Sequence, residues 1–375
     1  LSARPDQILR LLVVMPSWVG DAVMATPTLR LIRRAFPGVF VGGLVRPGID
    51  QLLAGSDLLD EVHVAHATGV LGPKFIAAKV RPRRYDTALL LANSFSSALI
   101  VRIAGIPRRL GYDRDARGLL LTDRLAAPKR PDGRWAIVPA VDYYRTLAQE
   151  LLFKPRGVLS ASHEHESTSM PMELATTLAE EATADELFTK AGVAAGTPCA
   201  ILNPGGNNVA KRWPADRFAA LADHLSSKHE LTVLINGSPV ERELVAQIAS
   251  MCTSPVVRLS ELGITLGSLK AVVRRCRVMV TNDTGPRHLA AAFGVPLVSL
   301  FGPTDPRWTT IPTRAGALEV ILRADPTLPE SEVADDHLER CSIARIGVPE
   351  VLAAADRVLG EGSGRLNFPK NQGSS

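Results

Sequence analysis

Three stretches of this chain place glycine and a carboxylate or cation directly after an apolar run of strand length, the setting in which phosphate and proton chemistry is commonly built. The first is Val280-Thr281-Asn282-Asp283-Thr284-Gly285-Pro286-Arg287-His288, following the run Val278–Thr281. It predicts a strand, a sharp turn and a helix beginning around Pro286, because proline suits a first helical turn. Backbone N–H groups at that start, with Gly285 permitting close approach, would hold a phosphate, and Asp283, Thr284 and His288 could add side-chain contacts. The alternative makes Asp283 or Thr284 a helix cap and His288 a packing residue. The second stretch runs from Asn203 to Pro214, where a loop carrying Gly205, Gly206 and Asn207 is closed by Lys211 and Arg212. It is not a Walker loop, which needs Gly-Lys-Ser/Thr directly before its helix. Its two cations could neutralise a diphosphate leaving group, a task that otherwise falls to a metal ion, or they could be a solvated surface pair. The third, Ser17-Trp18-Val19-Gly20-Asp21-Ala22, follows Leu9–Met15 and lacks the G-x-G-x-x-G fingerprint of dinucleotide binding. It presents one carboxylate, Asp21. That carboxylate is either a helix N-cap or the acceptor of a hydroxyl proton in a reaction with oxocarbenium character.

Two weaker patterns are set aside. Asp113-Arg114-Asp115 has the D-x-D spacing of metal-dependent sugar transferases, but so short a motif recurs by chance. His163-Glu164-His165-Glu166 could chelate a metal, yet it stands in a polar, aperiodic segment that reads as a solvated loop. The four cysteines form no C-x-x-C pair, so neither a structural zinc nor any other metal is expected, and a reduced, cytoplasmic setting is the simplest reading.

The elements that must position these loops alternate strand-length apolar runs with longer helical patterns, which argues for parallel sheets with crossover helices. The first half offers Leu9–Met15, Val39–Leu44, Glu61–Val64 and Thr87–Leu91; the second offers Cys199–Asn203, Thr232–Asn236, Val278–Thr281 and Leu297–Phe301. Periodicity lapses over Phe153–Met172, and Glu173–Lys190 reads as a bridging helix. The expected organisation is residues 1–175, residues 176–348, a C-terminal helix over 349–360 and a flexible tail over 361–375. Both large halves would be doubly wound α/β domains facing each other across a cleft. A chain of 375 residues exceeds what one core usually supports, which fits two domains. Its 46% hydrophobic and 22% charged content is that of a globular enzyme, and its net charge of +5 allows an anionic partner. The basic residues are dispersed with few aromatics, so nucleic acid is not expected. No apolar stretch has the length of a membrane span. Leu1–Met15 has no small-residue cleavage site, so a first strand is expected there rather than a signal peptide, with the natural start upstream of Leu1.

Taken together the three loops resemble glycosyltransferase family nine, the lipopolysaccharide heptosyltransferases. The resemblance runs from Ile8 to about Leu359. Further motifs carry it: Asn93-Ser94-Phe95, Ala104-Gly105-Ile106-Pro107-Arg108-Arg109, Arg117-Gly118-Leu119-Leu120-Leu121-Thr122 and Phe301-Gly302-Pro303-Thr304-Asp305-Pro306. The N-terminal half is most similar to the type II heptosyltransferases. The resemblance implies a GT-B fold, no cofactor, and inverting transfer of heptose from ADP-heptose to the inner core of lipopolysaccharide, peripheral to the inner face of the cytoplasmic membrane. It makes Asp21 the catalytic base and Lys211 the cation on the donor diphosphate. Gly206, Asn207, Arg212, Asp283, Thr284, Gly285 and His288 would surround the donor, with Glu241 near its ribose and Ile264 beside its adenine. Asn93, Ser94, Arg108, Arg109, Arg114 and Arg117 are candidates for the acceptor. The family's Cys-rich stretch before the last helix is reduced here to Cys341. Competing readings are a family-nine transferase for another nucleotide sugar, a nucleotide-sugar epimerase on the same scaffold, and a non-catalytic nucleotide-sugar-binding protein.

Overall fold

The computed structural model describes residues 8–66, 69–153, 170–312 and 318–362. His163–Glu166, most of the aperiodic segment and the tail from residue 363 lie outside the described residues. The chain forms two compact units, Leu1–Glu180 with Pro306–Pro312, and Glu181–Asp305 with Thr313–Ser375.

In the first unit β1 (Arg10–Val14), β2 (Phe40–Val45), β3 (Glu61–Val64), β4 (Thr87–Leu90), β5 (Arg108–Asp113) and β6 (Asp123–Ala126) form a parallel sheet in the order β3-β2-β1-β4-β5-β6. Its helices are α1 (Val19–Met24), α2 (Thr26–Ala35), α3 (Ile49–Leu53), α4 (Gly72–Val80), α5 (Phe95–Ile103) and α6 (Ala140–Phe153). Then α7 (Leu178–Lys190) carries the chain into the second unit, where β7 (Cys199–Asn203), β8 (Thr232–Ile235), β9 (Val256–Arg258), β10 (Val278–Asn282), β11 (Leu297–Phe301) and β12 (Glu319–Arg323) are ordered β12-β11-β10-β7-β8-β9. Its other helices are α8 (Ala215–His229), α9 (Arg242–Met251), α10 (Leu266–Arg274), α11 (Gly285–Phe293) and α12 (Val348–Gly362). Each unit repeats one topology, in which the third, second, first, fourth, fifth and sixth strands lie side by side. The strand order therefore reverses between β1 and β4 and again between β7 and β10. In open parallel sheets ligands bind beyond the carboxyl ends of the strands at such a reversal.

Burial follows the topology. The central strands β7, β10 and β11 are buried along their whole length, as strands covered on both faces must be. The edge strands β3, β6, β9 and β12 are partly exposed and carry Glu61, Arg124, Arg258 and Arg323, which blunt an open edge. The strands not anticipated from the sequence are β5, β6, β9 and β12. Each carries charged residues in a short segment, so the periodic signal fails there.

The bridging helix begins at Leu178, not Glu173. Thr177 Oγ1 accepts from the Glu180 amide at 3.2 Å while Glu180 Oε2 accepts from the Thr177 amide at 2.8 Å, a reciprocal cap that sets the helix start. Glu173 instead belongs to the first unit, where it pairs with Arg30 at 2.7 Å. The C-terminal helix α12 is part of the second unit's core: Val351, Ala355 and Val358 are fully buried with Phe218 and Leu225 of α8.

Candidate functional site

The three chemically marked loops all leave the carboxyl edges of the two sheets, at the strand reversals. In the first unit β1 runs into the loop before α1, and β4 runs into the loop holding Asn93 and Ser94. Asp21 is the third residue of α1, and the N-cap is Trp18, which makes no side-chain cap. Asp21 is therefore not the N-cap residue. The Asp21 carboxylate stands in the first turn, where the helix dipole favours negative charge. Its Oδ1 accepts a hydrogen bond from Tyr144 Oη at 3.0 Å. Tyr144, on α6, is buried, and burial followed by the Asp21 charge pushes its phenol well above the usual tyrosine range. The hydroxyl therefore stays protonated and orients the carboxylate. Tyr144 was not anticipated, because only tertiary packing brings positions 21 and 144 together.

Around it, Tyr143 stacks on Tyr112 with ring centroids 3.9 Å apart, and Asn93 and Arg114 lie beside its hydroxyl. Arg114 also lies over the Trp135 ring at 4.3 Å. Ser94 is the N-cap of α5, its Oγ accepting from the Ser97 amide at 3.1 Å. The remaining acceptor candidates are already engaged within the first unit. Arg117 is fully buried and donates to the carbonyls of Tyr112 (2.9 Å) and Ala92 and to Asn93 Oδ1 (2.9 Å), so it shapes the loop rather than facing a ligand. Arg108 and Arg109 open β5, at the amino edge of a parallel sheet. That is a strand length, roughly 17–20 Å, from the edge carrying Asp21. Arg109 is bonded there to the carbonyls of Leu120, Ile106 and Pro107, and Arg108 pairs with Asp123 at 3.4 Å. The D-x-D pair is also split: Asp113 ends β5, while Asp115 takes a left-handed conformation, φ 55.

In the second unit Asn282, fully buried at the end of β10, binds the two loops together. Its Nδ2 donates to the carbonyls of Pro204 (2.7 Å) and Gly205 (3.1 Å), and its Oδ1 accepts from the Trp213 amide at 3.3 Å. Glu241 braces the glycine loop from the other side, accepting from the Gly206 amide at 2.8 Å and from the Ser238 amide and hydroxyl at 2.8 and 2.7 Å. Burial works to raise its pKa, but these donors and nearby Arg212 outweigh it and hold the carboxyl below the ordinary glutamate range. A Cβ at Gly205 would stand 2.2 Å from Glu241 Oε1, so only glycine admits this approach. Arg212 donates to the Gly206 carbonyl at 2.9 and 2.7 Å, which makes it a brace of the loop. Asn207 is exposed, and Ile264 lies half-buried just before the N-cap of α10.

Lys211 Nζ reaches Asp283 Oδ2 at 3.3 Å, and Thr304 Oγ1 donates to the same oxygen at 2.9 Å. The ammonium is thereby held over the start of α11, which begins at Gly285 with Thr284 at its N-cap and no side-chain cap. Thr304 and Asn282 are further residues missed as site members, although both lie within motifs read from the sequence. His288 is 3% exposed, and burial followed by Arg287 lowers its pKa well below the usual histidine value. The imidazole is thereby held neutral and supplies no charge. A cavity of about 670 Å³, lined by Phe188, Pro198, Arg275 and Arg277, opens at the opposite, amino edge of β7. The residues suited to phosphate and proton chemistry lie elsewhere, so this cavity is not the candidate site.

Residues 75–336 match glycosyltransferase family 9 (heptosyltransferase). The chain belongs to this family. It is a glycosyltransferase. Over 309 residues it is 28% identical to lipopolysaccharide heptosyltransferase 2 of Escherichia coli K12, covering 80% of this chain and 85% of that one. Over 314 residues it is 30% identical to lipooligosaccharide heptosyltransferase 2 of Haemophilus ducreyi, with the same two coverages. Among solved structures it is similar to E. coli ADP-heptose lps heptosyltransferase II, with TM-score 0.76, 24% identity and coverage of 95% and 100% of the two chains. The family 9 glycosyltransferase from Veillonella parvula is similar at TM-score 0.75 and 22% identity, covering 94% and 97%. The GT-B fold class follows from these likenesses, with its two doubly wound sheets.

Proposed function

We propose that this family 9 member transfers heptose from ADP-heptose to the inner core of lipopolysaccharide with inversion, as a type II heptosyltransferase. In this reading the first unit binds the acceptor and the second the donor. The acceptor hydroxyl oxygen forms a bond to the anomeric carbon, the bond from that carbon to the ADP oxygen breaks, and its electron pair leaves with ADP. The hydroxyl proton passes to Asp21. Lys211 and the amides at the start of α11 take up the charge on the departing diphosphate, so no metal ion is needed in the step. Asp283 does not oppose this, because Lys211 and Thr304 already engage its charge.

The observation that carries the proposal is the Asp21 carboxylate, held by buried Tyr144 at the reversal of the first sheet. The names of the curated relatives support the sugar and the acceptor class. A lipid-anchored acceptor would place the enzyme peripherally at the inner face of the cytoplasmic membrane. Among the described residues no helix is long and apolar enough to cross a membrane.

The test is turnover of a panel of nucleotide sugars with delipidated core acceptors, followed by ADP release and by the anomeric configuration of the product. Transfer from ADP-heptose with inversion is expected. Transfer from another nucleotide sugar in its place would move the chain to a different branch of the family. Sugar conversion without any acceptor would make it an epimerase.

A further inference from the structure

Away from both catalytic edges, two histidines and an aspartate meet where α8 packs on α12. His224 Nε2 lies 2.8 Å and His229 Nε2 2.6 Å from the same oxygen, Asp356 Oδ1. One candidate ligand atom from each residue lies within 4.8 Å of the others, and all three side chains are half-buried. Simple ion pairing does not require this convergence, since Asp356 has a second oxygen. That oxygen is taken by Lys228, whose Nζ donates to Oδ2 at 2.8 Å.

We propose that His224, His229 and Asp356 bind one divalent transition-metal ion of the zinc or cobalt class, which staples α12 to the end of α8. Imidazole nitrogens with a carboxylate oxygen suit these ions, and three protein ligands leave the remaining position to water. Ligand bonds of about 2.0–2.2 Å place tetrahedral donor atoms roughly 3.3–3.5 Å apart, so a displacement of less than about 1 Å turns the observed contacts into a coordination shell. Lys228 then acts as the outer partner that orients the ligating carboxylate, a support that such ligands commonly have. His229 is the last residue of α8, while Lys211 precedes its first turn, and 15 helical residues span roughly 22 Å. The ion therefore takes no part in sugar transfer. Its effect is on the anchoring of α12, whose Val351, Ala355 and Val358 complete the second unit's core.

The experiment uses the full-length, metal-free protein. Cobalt titration should give one bound equivalent with visible absorption bands, X-ray absorption should show two imidazoles on the ion, and zinc should raise the melting temperature in proportion to saturation. His224→Gln/His229→Gln should lose all three responses. Its metal-free melting temperature should stay near wild type, because glutamine can still donate to Asp356. Asp356→Asn provides a second variant, expected to weaken metal uptake while leaving the histidines in place. His163→Gln/His165→Gln tests the other histidine pair and should leave uptake unchanged. The proposal is overturned by absent saturable uptake, by uptake that persists without His224 and His229, or by uptake that disappears with His163 and His165.

Discussion

Exchanging Asp21 for asparagine separates proton acceptance from every structural duty of that position. Asparagine keeps the shape, and its carbonyl oxygen can accept the Tyr144 hydroxyl now 3.0 Å away. What the protein loses is a charge. A first-turn carboxylate gains about 0.3–1 kcal/mol from the helix dipole, and a charged hydrogen bond exceeds a neutral one by about 1 kcal/mol. The total of roughly 1–2 kcal/mol corresponds to a fall of about 2–8 °C in melting temperature for a unit of this size. Asp21→Ala should fall further, since it takes the Asp21 acceptor away from the buried Tyr144 hydroxyl, at a cost of about 1–3 kcal/mol. Activity should behave differently. Neither variant can take the acceptor's proton, so transfer should drop about 10²–10⁴-fold in both, the usual contribution of a positioned base. Donor affinity should barely change, because Asp21 stands in the first unit, the one proposed to bind the acceptor. The assay compares transfer rate, melting temperature and ADP-heptose affinity across wild type, Asp21→Asn and Asp21→Ala. If asparagine restores the activity that alanine loses, the role of Asp21 is structural and the base lies elsewhere.

Tyr144→Phe should slow transfer and move the acid limb of the rate profile to higher pH, because the carboxylate loses a donor that favours its charged form; an unchanged profile would remove Tyr144 from the machinery. Lys211→Ala should weaken donor binding about 10- to 100-fold, from the loss of a charge-assisted contact of about 1.5–3 kcal/mol. Calorimetry showing unchanged donor affinity, with an unchanged rate, would return Lys211 to the solvated surface. Arg117→Met should lower the urea unfolding midpoint by removing the charged hydrogen bonds to the carbonyls of Tyr112 and Ala92, at about 1.5–3 kcal/mol each. A raised acceptor KM with native stability would instead restore Arg117 to the acceptor site. Transfer should survive EDTA, even if the melting temperature falls as a metal at His224, His229 and Asp356 is removed. Loss of rate, restored by magnesium or manganese, would refute the metal-independent step and revive the Asp113–Asp115 pair.

Local sequence determined whatever depends on neighbours along the chain. The central strands were legible because burial on both faces demands unbroken apolar runs such as Ala200-Ile201-Leu202. The three loops were legible because each places glycine and a carboxylate or cation within a few residues of a strand end. Tertiary structure decided what depends on direction and on distant partners. Arg108 and Arg109 look like acceptor cations until strand β5 is found to begin with them, which puts them on the wrong edge of a parallel sheet. Arg117 reads as one more surface cation, yet carbonyls from segments up to 25 residues away consume its donors. Tyr144 carries no local mark, since its function depends on a partner 123 positions earlier. His224 and His229 form a site only with Asp356, 132 and 127 positions later. Short-range spacing reports on atoms that share a turn or a strand. A buried hydrogen bond between remote elements exists only once the core has packed.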